Sequence, residues 1–145
     1  MPVRAIIFDL DGCLVDSEPH SLEAIAEGMR GLGIQDATAR EIRDRFLGVS
    51  LKVIHAHVEA RAGRPIPEDF DRQFEDRLLA VYEQVLRPIT GAPEVLTRLQ
   101  AAGLKMAIAT GGSVRRMQAT LRISGLAPFF EGTGFSADEV ARGKP

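Results

Sequence analysis

Two aspartates one residue apart, set directly after a short apolar run, constrain this chain most. The run Val3 to Phe8 meets Asp9-Leu10-Asp11, and Gly12 follows. An apolar run that short suits a strand buried on both faces, as in a parallel sheet. In open α/β sheets, ligands bind beyond the carboxyl ends of strands. Gly12 permits a sharp turn there. Asp9 and Asp11 are therefore expected at the mouth of a crevice, held on a rigid element. Two such carboxylates can bind a hard cation such as Mg²⁺ through oxygen. One can also attack phosphorus while the other moves protons. A carboxylate is a weak nucleophile and needs an electrophile drained of charge by a metal and cationic side chains. The competing reading is a solvated turn, since Asp and Gly are ordinary turn residues.

The balance of the whole chain narrows the partners. Its 145 residues carry a formal net charge of −2 and are 45% hydrophobic, which suits a soluble globular chain with a real core. Near neutrality offers no electrostatic case for nucleic acid or an anionic membrane. The lone cysteine, Cys13, excludes an internal disulfide and fits a reducing compartment. The N-terminal apolar stretch is too short for a signal peptide or a membrane span. A cytoplasmic location is expected.

Ser17 is a candidate N-cap with Pro19 in the first turn. Leu22, Ile25, Ala26 and Met29 then give an amphipathic helix, ended by Gly31 and Gly33. Thr38 and Glu41 suggest a capping box for a helix through Phe46, and Ser50 caps a third with Leu51, Ile54 and Val58 on one face. Gly63, Pro65 and Pro67 break the chain. A long fourth helix carries Phe70, Phe74, Leu78, Val81 and Val85. After Pro88 the pattern reverts. Pro93–Ala102 reads as a helix with Val95, Leu96 and Leu99, Lys105–Ala109 as a strand ending at Thr110, and Ser113 as the cap of a helix with Val114, Met117 and Leu121 that Pro128 breaks. Thr133–Ser136 is a weak third strand. Strand alternating with helix implies βαβ units and a parallel sheet. The expected fold is α/β, a Rossmann-like core of residues 1–16 and 88–145 with a four-helix cap, 17–87, inserted over the end of the first strand.

Thr110-Gly111-Gly112-Ser113 leads from a strand into a helix N-terminus, where free N–H groups and the helix dipole favour an anion; the alternative is a routine strand-to-helix loop. Lys144 lies between Gly143 and Pro145 on a restricted backbone and can place a point charge on a phosphoryl oxygen, or be a solvated lysine near a chain end. Arg115 and Arg116 read as surface charges. His55 and His57 are two apart on a helix and face different ways, so they are not a metal pair.

Taken together, Phe8-Asp9-Leu10-Asp11-Gly12 through Asp16-Ser17-Glu18, Thr110 after the second strand and Gly143-Lys144-Pro145 after the third resemble the haloacid dehalogenase-like hydrolases. The chain is most similar to the phosphatase and phosphomutase branch with a helical cap, and Pro88-Ile89-Thr90-Gly91 and Phe135-Ser136-Ala137-Asp138-Glu139-Val140 add to the likeness. The resemblance implies a Mg²⁺-dependent phosphoric monoester hydrolase acting on a small phosphorylated metabolite, a sugar phosphate or a phosphoglycolate-like compound. It implies that Asp9 forms an aspartyl-phosphate and that Asp11 protonates the leaving oxygen and then activates water. It further implies that the Asp9 side chain and the Asp11 main-chain carbonyl hold Mg²⁺, and that Thr110, the Gly111 N–H and Lys144 hold the phosphoryl group. The acid role of Asp11 requires an environment that favours its protonated form. His20, at the entry to the cap, and Arg45 and Lys52 are the candidate substrate contacts.

Departures from the pattern bear on the activity. Cys13 replaces a usual Thr or Val and reads as a small packed side chain. Gly111 and Gly112 replace a Ser or Asn pair. Sugar phosphomutases of this type carry Lys and Arg around the Gly-Val-Ser of the cap, where this chain has Leu47 and Leu51, which argues against a mutase. A dehalogenase and a non-catalytic binding or regulatory module remain as alternatives. The family's fourth motif, an acidic pair after a further strand, would lie beyond Pro145. The reading is thus of a fragment of a longer, monomeric hydrolase, weakly active or inactive by itself. Its first strand is expected to be an exposed edge prone to association.

Overall fold

The computed structural model describes residues 3–46 and 51–141, residues 51 and 52 by their backbone alone. Leu47, Gly48, Ser50 and Lys144 therefore lie outside the described residues, as do the side chains of Leu51 and Lys52. The chain divides into two compact units, Met1–Ser17 with Tyr82–Pro145, and Glu18–Val81.

The first unit is built on three parallel strands, β1 (Ala5–Phe8), β2 (Lys105–Thr110) and β3 (Gly134–Ser136), in the order β1-β2-β3. Phe8 pairs with Ile108, and Thr110 with Ser136. The strands form because β-branched and apolar residues alternate between two faces. Met106, Ile108 and Thr110 point into the core, where Phe8 meets Phe130 edge-on at 6.1 Å. The opposite face carries Ile7, in register with Ala107, and Phe135, in register with Ala109. These two are 71% and 55% exposed. Burial of the first strand on both faces is thus not observed. Among the described residues its partner is β2 alone, its outer edge is open, and no element covers Ile7.

Two helices complete this unit. One spans Ala92–Ala101 and buries Leu96 while Val95 stays half exposed. The other, Val114–Ser124, buries Met117 and Leu121 and packs against β3. Gly125, in the left-handed region at φ 75°, ends the latter helix, because a residue without Cβ satisfies the last carbonyls there. The expected breaker, Pro128, instead sits in the following 3-10 turn, Ala127–Phe129.

Four helices occupy residues 18–85, numbered α1 (Glu18–Gly31), α2 (Ala39–Phe46), α3 (Leu51–Ala62) and α4 (Phe70–Val85); the helices Ala92–Ala101 and Val114–Ser124 are α5 and α6. The α1 face buries Ala24, Ile25, Ala26 and Met29, and α2 packs on it through Ile42. Ile54 and Val58 of α3 are buried as well. The Thr38 hydroxyl accepts from the Glu41 N–H at 3.2 Å, but only that half of the expected capping box forms. The Glu41 carboxylate is taken by Arg61, whose Nη1 donates to both its oxygens at 2.8 and 2.9 Å, while Nη2 donates to Asp36 at 2.6 Å. Desolvation weakens the proton affinity of this guanidinium, yet Glu41 and Asp36 outweigh it and raise Arg61 above its ordinary value. The buried row of α4 and its continuation is Phe70, Phe74, Leu78, Tyr82 and Leu86, spaced i, i+4 throughout. Val81 and Val85, expected on that row, are 41% and 43% exposed.

Candidate active site

The loop after β1 is a knot of backbone hydrogen bonds. The Leu10 carbonyl accepts from the N–H groups of Cys13, Leu14 and Val15 at 3.3, 2.9 and 3.2 Å, and the Gly12 N–H donates to the Val15 carbonyl at 3.0 Å. Gly12 takes φ 72°, a left-handed state that costs a residue with Cβ. Leu10, Leu14 and Val15 anchor the loop in the core. The return segment is laced to it, with Asp16 N–H donating to the Arg87 carbonyl at 3.0 Å and Ile89 N–H to the Leu14 carbonyl at 2.9 Å. Asp9 and Asp11 project from this braced turn.

The two carboxylates are held differently. Asp9 is exposed, and its Oδ1 accepts from the Leu10 N–H at 2.8 Å. Asp11 is partly buried. Its Oδ1 accepts from the fully buried Ser17 hydroxyl at 2.7 Å and from Arg116 Nη2 at 3.0 Å. Arg116 is therefore not the surface charge the sequence suggested: its side chain is only 15% exposed. A signal was available. Ser113 as N-cap places Arg116 three residues on, and helical side chains lean toward the N-terminus, so a long cation there reaches back to the start of α6.

The adjacent loop, Thr110–Ser113, leads from β2 into α6. Thr110 closes β2, buried, and its Oγ1 accepts from the Gly112 N–H at 3.1 Å. With that lone pair engaged, the hydroxyl proton remains to be donated to an anion. Ser113 caps α6 by accepting from the Arg116 N–H at 3.0 Å. From β3, the Ser136 hydroxyl donates to the Gly112 carbonyl at 2.6 Å and fixes the turn from the far side. Ser136 is itself locked by a full capping box with Glu139, a contribution not foreseen from sequence. Neighbouring parallel strands lie about 5 Å apart, and the pairing of Phe8 with Ile108 brings the Asp9 turn beside the Thr110 turn.

Oxygen donors dominate here, as a hard cation requires. Asp11 Oδ1 is engaged by Ser17 and Arg116; the Asp9 carboxylate and the Asp11 main-chain carbonyl are the oxygen groups of this turn that could hold such an ion. Among the described residues no group of three or more His, Cys, Asp or Glu gathers to hold a metal, so neither His55 nor His57 joins one. His55 instead bonds Asp71 at 2.7 Å, and His57 lies 3.6 Å from Glu41.

His20, Arg45 and Lys52 belong to the second unit. His20 is half-buried on α1. Arg45 is 62% exposed and stands 4.0 Å from Glu41. Gly111 is exposed at the head of the cradle.

The family profile of the haloacid dehalogenase-like hydrolases matches residues 3–145. The chain is 29% identical, over all its length and 64% of the relative's, to the N-acetylmuramic acid 6-phosphate phosphatase of Pseudomonas aeruginosa. It is also 29% identical, over 97% of its length and 60% of the relative's, to the phosphoglycolate phosphatase of Caulobacter vibrioides. It thus spans less than two thirds of these curated relatives. Among solved structures, it superimposes with a TM-score of 0.75 on a haloacid dehalogenase-like protein of unknown function from Agrobacterium tumefaciens, at 29% identity, covering 99% of this chain and 64% of that one. Among the described residues no helix is long and apolar enough to cross a membrane.

Proposed function

The chain belongs to the haloacid dehalogenase-like hydrolase family, and from that premise we propose that it carries the nucleophile of a phosphatase for small phosphorylated metabolites, of the sugar phosphate or phosphoglycolate class. The observation that carries the reading is the pairing of an Asp9–Asp11 turn with a Thr110–Ser113 anion cradle on adjacent parallel strands. The names of the relatives, both phosphatases of small organic phosphates, support the substrate class.

In this reading an Asp9 oxygen forms a bond to phosphorus as the ester P–O bond breaks. The electron pair of that bond passes to the ester oxygen, which takes the carboxyl proton of Asp11 and leaves as an alcohol. Asp11, now a carboxylate, then removes a proton from water. The water oxygen bonds to phosphorus, the Asp9–phosphorus bond breaks, and Asp9 recovers its electron pair. Thr110 and the Gly111 N–H orient the phosphoryl oxygens, and Lys144 offsets their charge. Mg²⁺, on the Asp9 carboxylate and the Asp11 carbonyl, would supply further charge neutralisation. Residues 1–16 and 88–145 form the catalytic core in this account. Residues 17–87 serve as a cap that selects substrate, with His20, Arg45 and Lys52 as contacts, in the cytoplasm.

Turnover of a panel of sugar phosphates, phosphoglycolate and nucleotides by the full-length protein tests this. Hydrolysis that stops on chelation with EDTA and returns with Mg²⁺ is expected. Hydrolysis indifferent to chelation contradicts the metal, and failure to form a beryllofluoride adduct at Asp9 contradicts the enzyme in favour of a binding module.

A further inference from the structure

Asp11 lies on the loop after β1, and Arg116 lies in the first turn of α6, which follows β2. Their contact at 3.0 Å ties the two turns of the site together. Arg116 is held for this from behind. Its own N–H donates to the Ser113 cap, and its side chain runs beside the cradle, since a Cβ built on Gly112 would stand 3.4 Å from Arg116 Cδ and 3.6 Å from Thr110 Oγ1. The fully buried Ser17 hydroxyl donates to the same oxygen at 2.7 Å. Both donors converge on Oδ1.

That asymmetry has a chemical consequence. A carboxyl group that delivers a proton to one oxygen and later takes one from another must aim a single oxygen at the reaction. Two donors fixed on Oδ1 stop the group from rotating about its Cβ–Cγ bond and leave Oδ2 as the transferring atom. A guanidinium suits this better than an ammonium, because its planar fork is fixed in direction. We infer that Arg116, with Ser17, is a positioning residue that clamps Asp11 Oδ1 so that Oδ2 faces the ester oxygen. The inference rests on the phosphatase reading above and assigns a role to a side chain outside the motifs that suggested it.

Leaving groups separate this role from a merely structural one. p-Nitrophenolate departs without a proton, whereas the alkoxide of a sugar phosphate does not. In the intact protein, Arg116→Ala is expected to slow single-turnover cleavage of an alkyl phosphate about 10- to 100-fold, the scale of a misplaced catalytic group. KM should hold, and the burst of p-nitrophenolate from p-nitrophenyl phosphate should be nearly intact. Arg116→Lys should recover part of the loss. Ser17→Ala should show the same leaving-group dependence, and the double variant should lose less than the product of the singles. Equal slowing of both esters, a change confined to KM, or a loss that tracks a fall in thermal midpoint overturns the clamp while leaving the phosphatase standing. A wild-type protein that neither turns over nor forms a phosphoryl adduct overturns the phosphatase and the clamp with it.

Discussion

Gly12 shows how one backbone angle governs the site. It sits at φ 72° between Asp11 and the buried Leu14–Val15 anchor, in the turn that aims both carboxylates. Gly12→Ala should cost about 1–2 kcal/mol in stability, the penalty of a Cβ in the left-handed region. The same change should lower phosphatase turnover, because relaxing the turn displaces Asp11. Chemical denaturation and steady-state rates on the same variant check this, and a variant unchanged in both contradicts it. Asp9, Asp11 and Thr110 could be singled out because they lie at or just beyond the ends of strands of recognisable composition. Arg116 was legible only in part: its spacing from the Ser113 cap puts a long cation at the start of α6, but its contact with Asp11 depends on how α6 is turned relative to a loop a hundred residues earlier. Lys144 lies outside the described residues, so its part rests on the motif alone.

At the scale of elements, α4 illustrates what periodicity settles and what it leaves open. Phe70, Phe74 and Leu78 fix the row, but after Leu78 both i+3 and i+4 are allowed by a period of 3.6 residues. Val81 looks the better core residue by type. The helix instead buries Tyr82, fully, and leaves Val81 41% exposed. Two substitutions separate the rows. Leu78→Ala should destabilise by about 2–5 kcal/mol, the range for a buried leucine. Val81→Ala should lie within about 0.5 kcal/mol of the parent. Comparable losses at the two positions would contradict the packing described. Helix starts were easier to read than helix faces, because a Ser or Thr cap is a local bond, as Ser113 confirms through the Arg116 N–H. Side-chain competition is less local. Glu41 was expected to close a capping box and is drawn away by Arg61, twenty residues later.

Across the whole molecule, the parallel sheet with a helical insertion follows from alternating strand and helix patterns, and the strand order follows from the chain's connections. The first strand carries two expectations at once. Its apolar run reads as central, its outer edge was expected to be exposed, and among the described residues β1 pairs with β2 alone and Ile7 is 71% exposed. Hydrophobic content records what a strand is suited to pack against, not how many neighbours it has. An open, apolar strand edge is a template for pairing. Size-exclusion chromatography with light scattering should therefore show mass rising with protein concentration, and Ile7→Lys should suppress the rise. A strict monomer at all concentrations would contradict this.

Chemistry at Asp9 decides the account as a whole. The intact protein would be mixed with Mg²⁺ and a sugar phosphate, quenched in acid during turnover, digested and weighed peptide by peptide. One phosphoryl group should appear on the peptide that contains Asp9, and both that group and turnover should vanish in Asp9→Asn. Undiminished turnover in Asp9→Asn, or a phosphoryl group on any other residue, would contradict it.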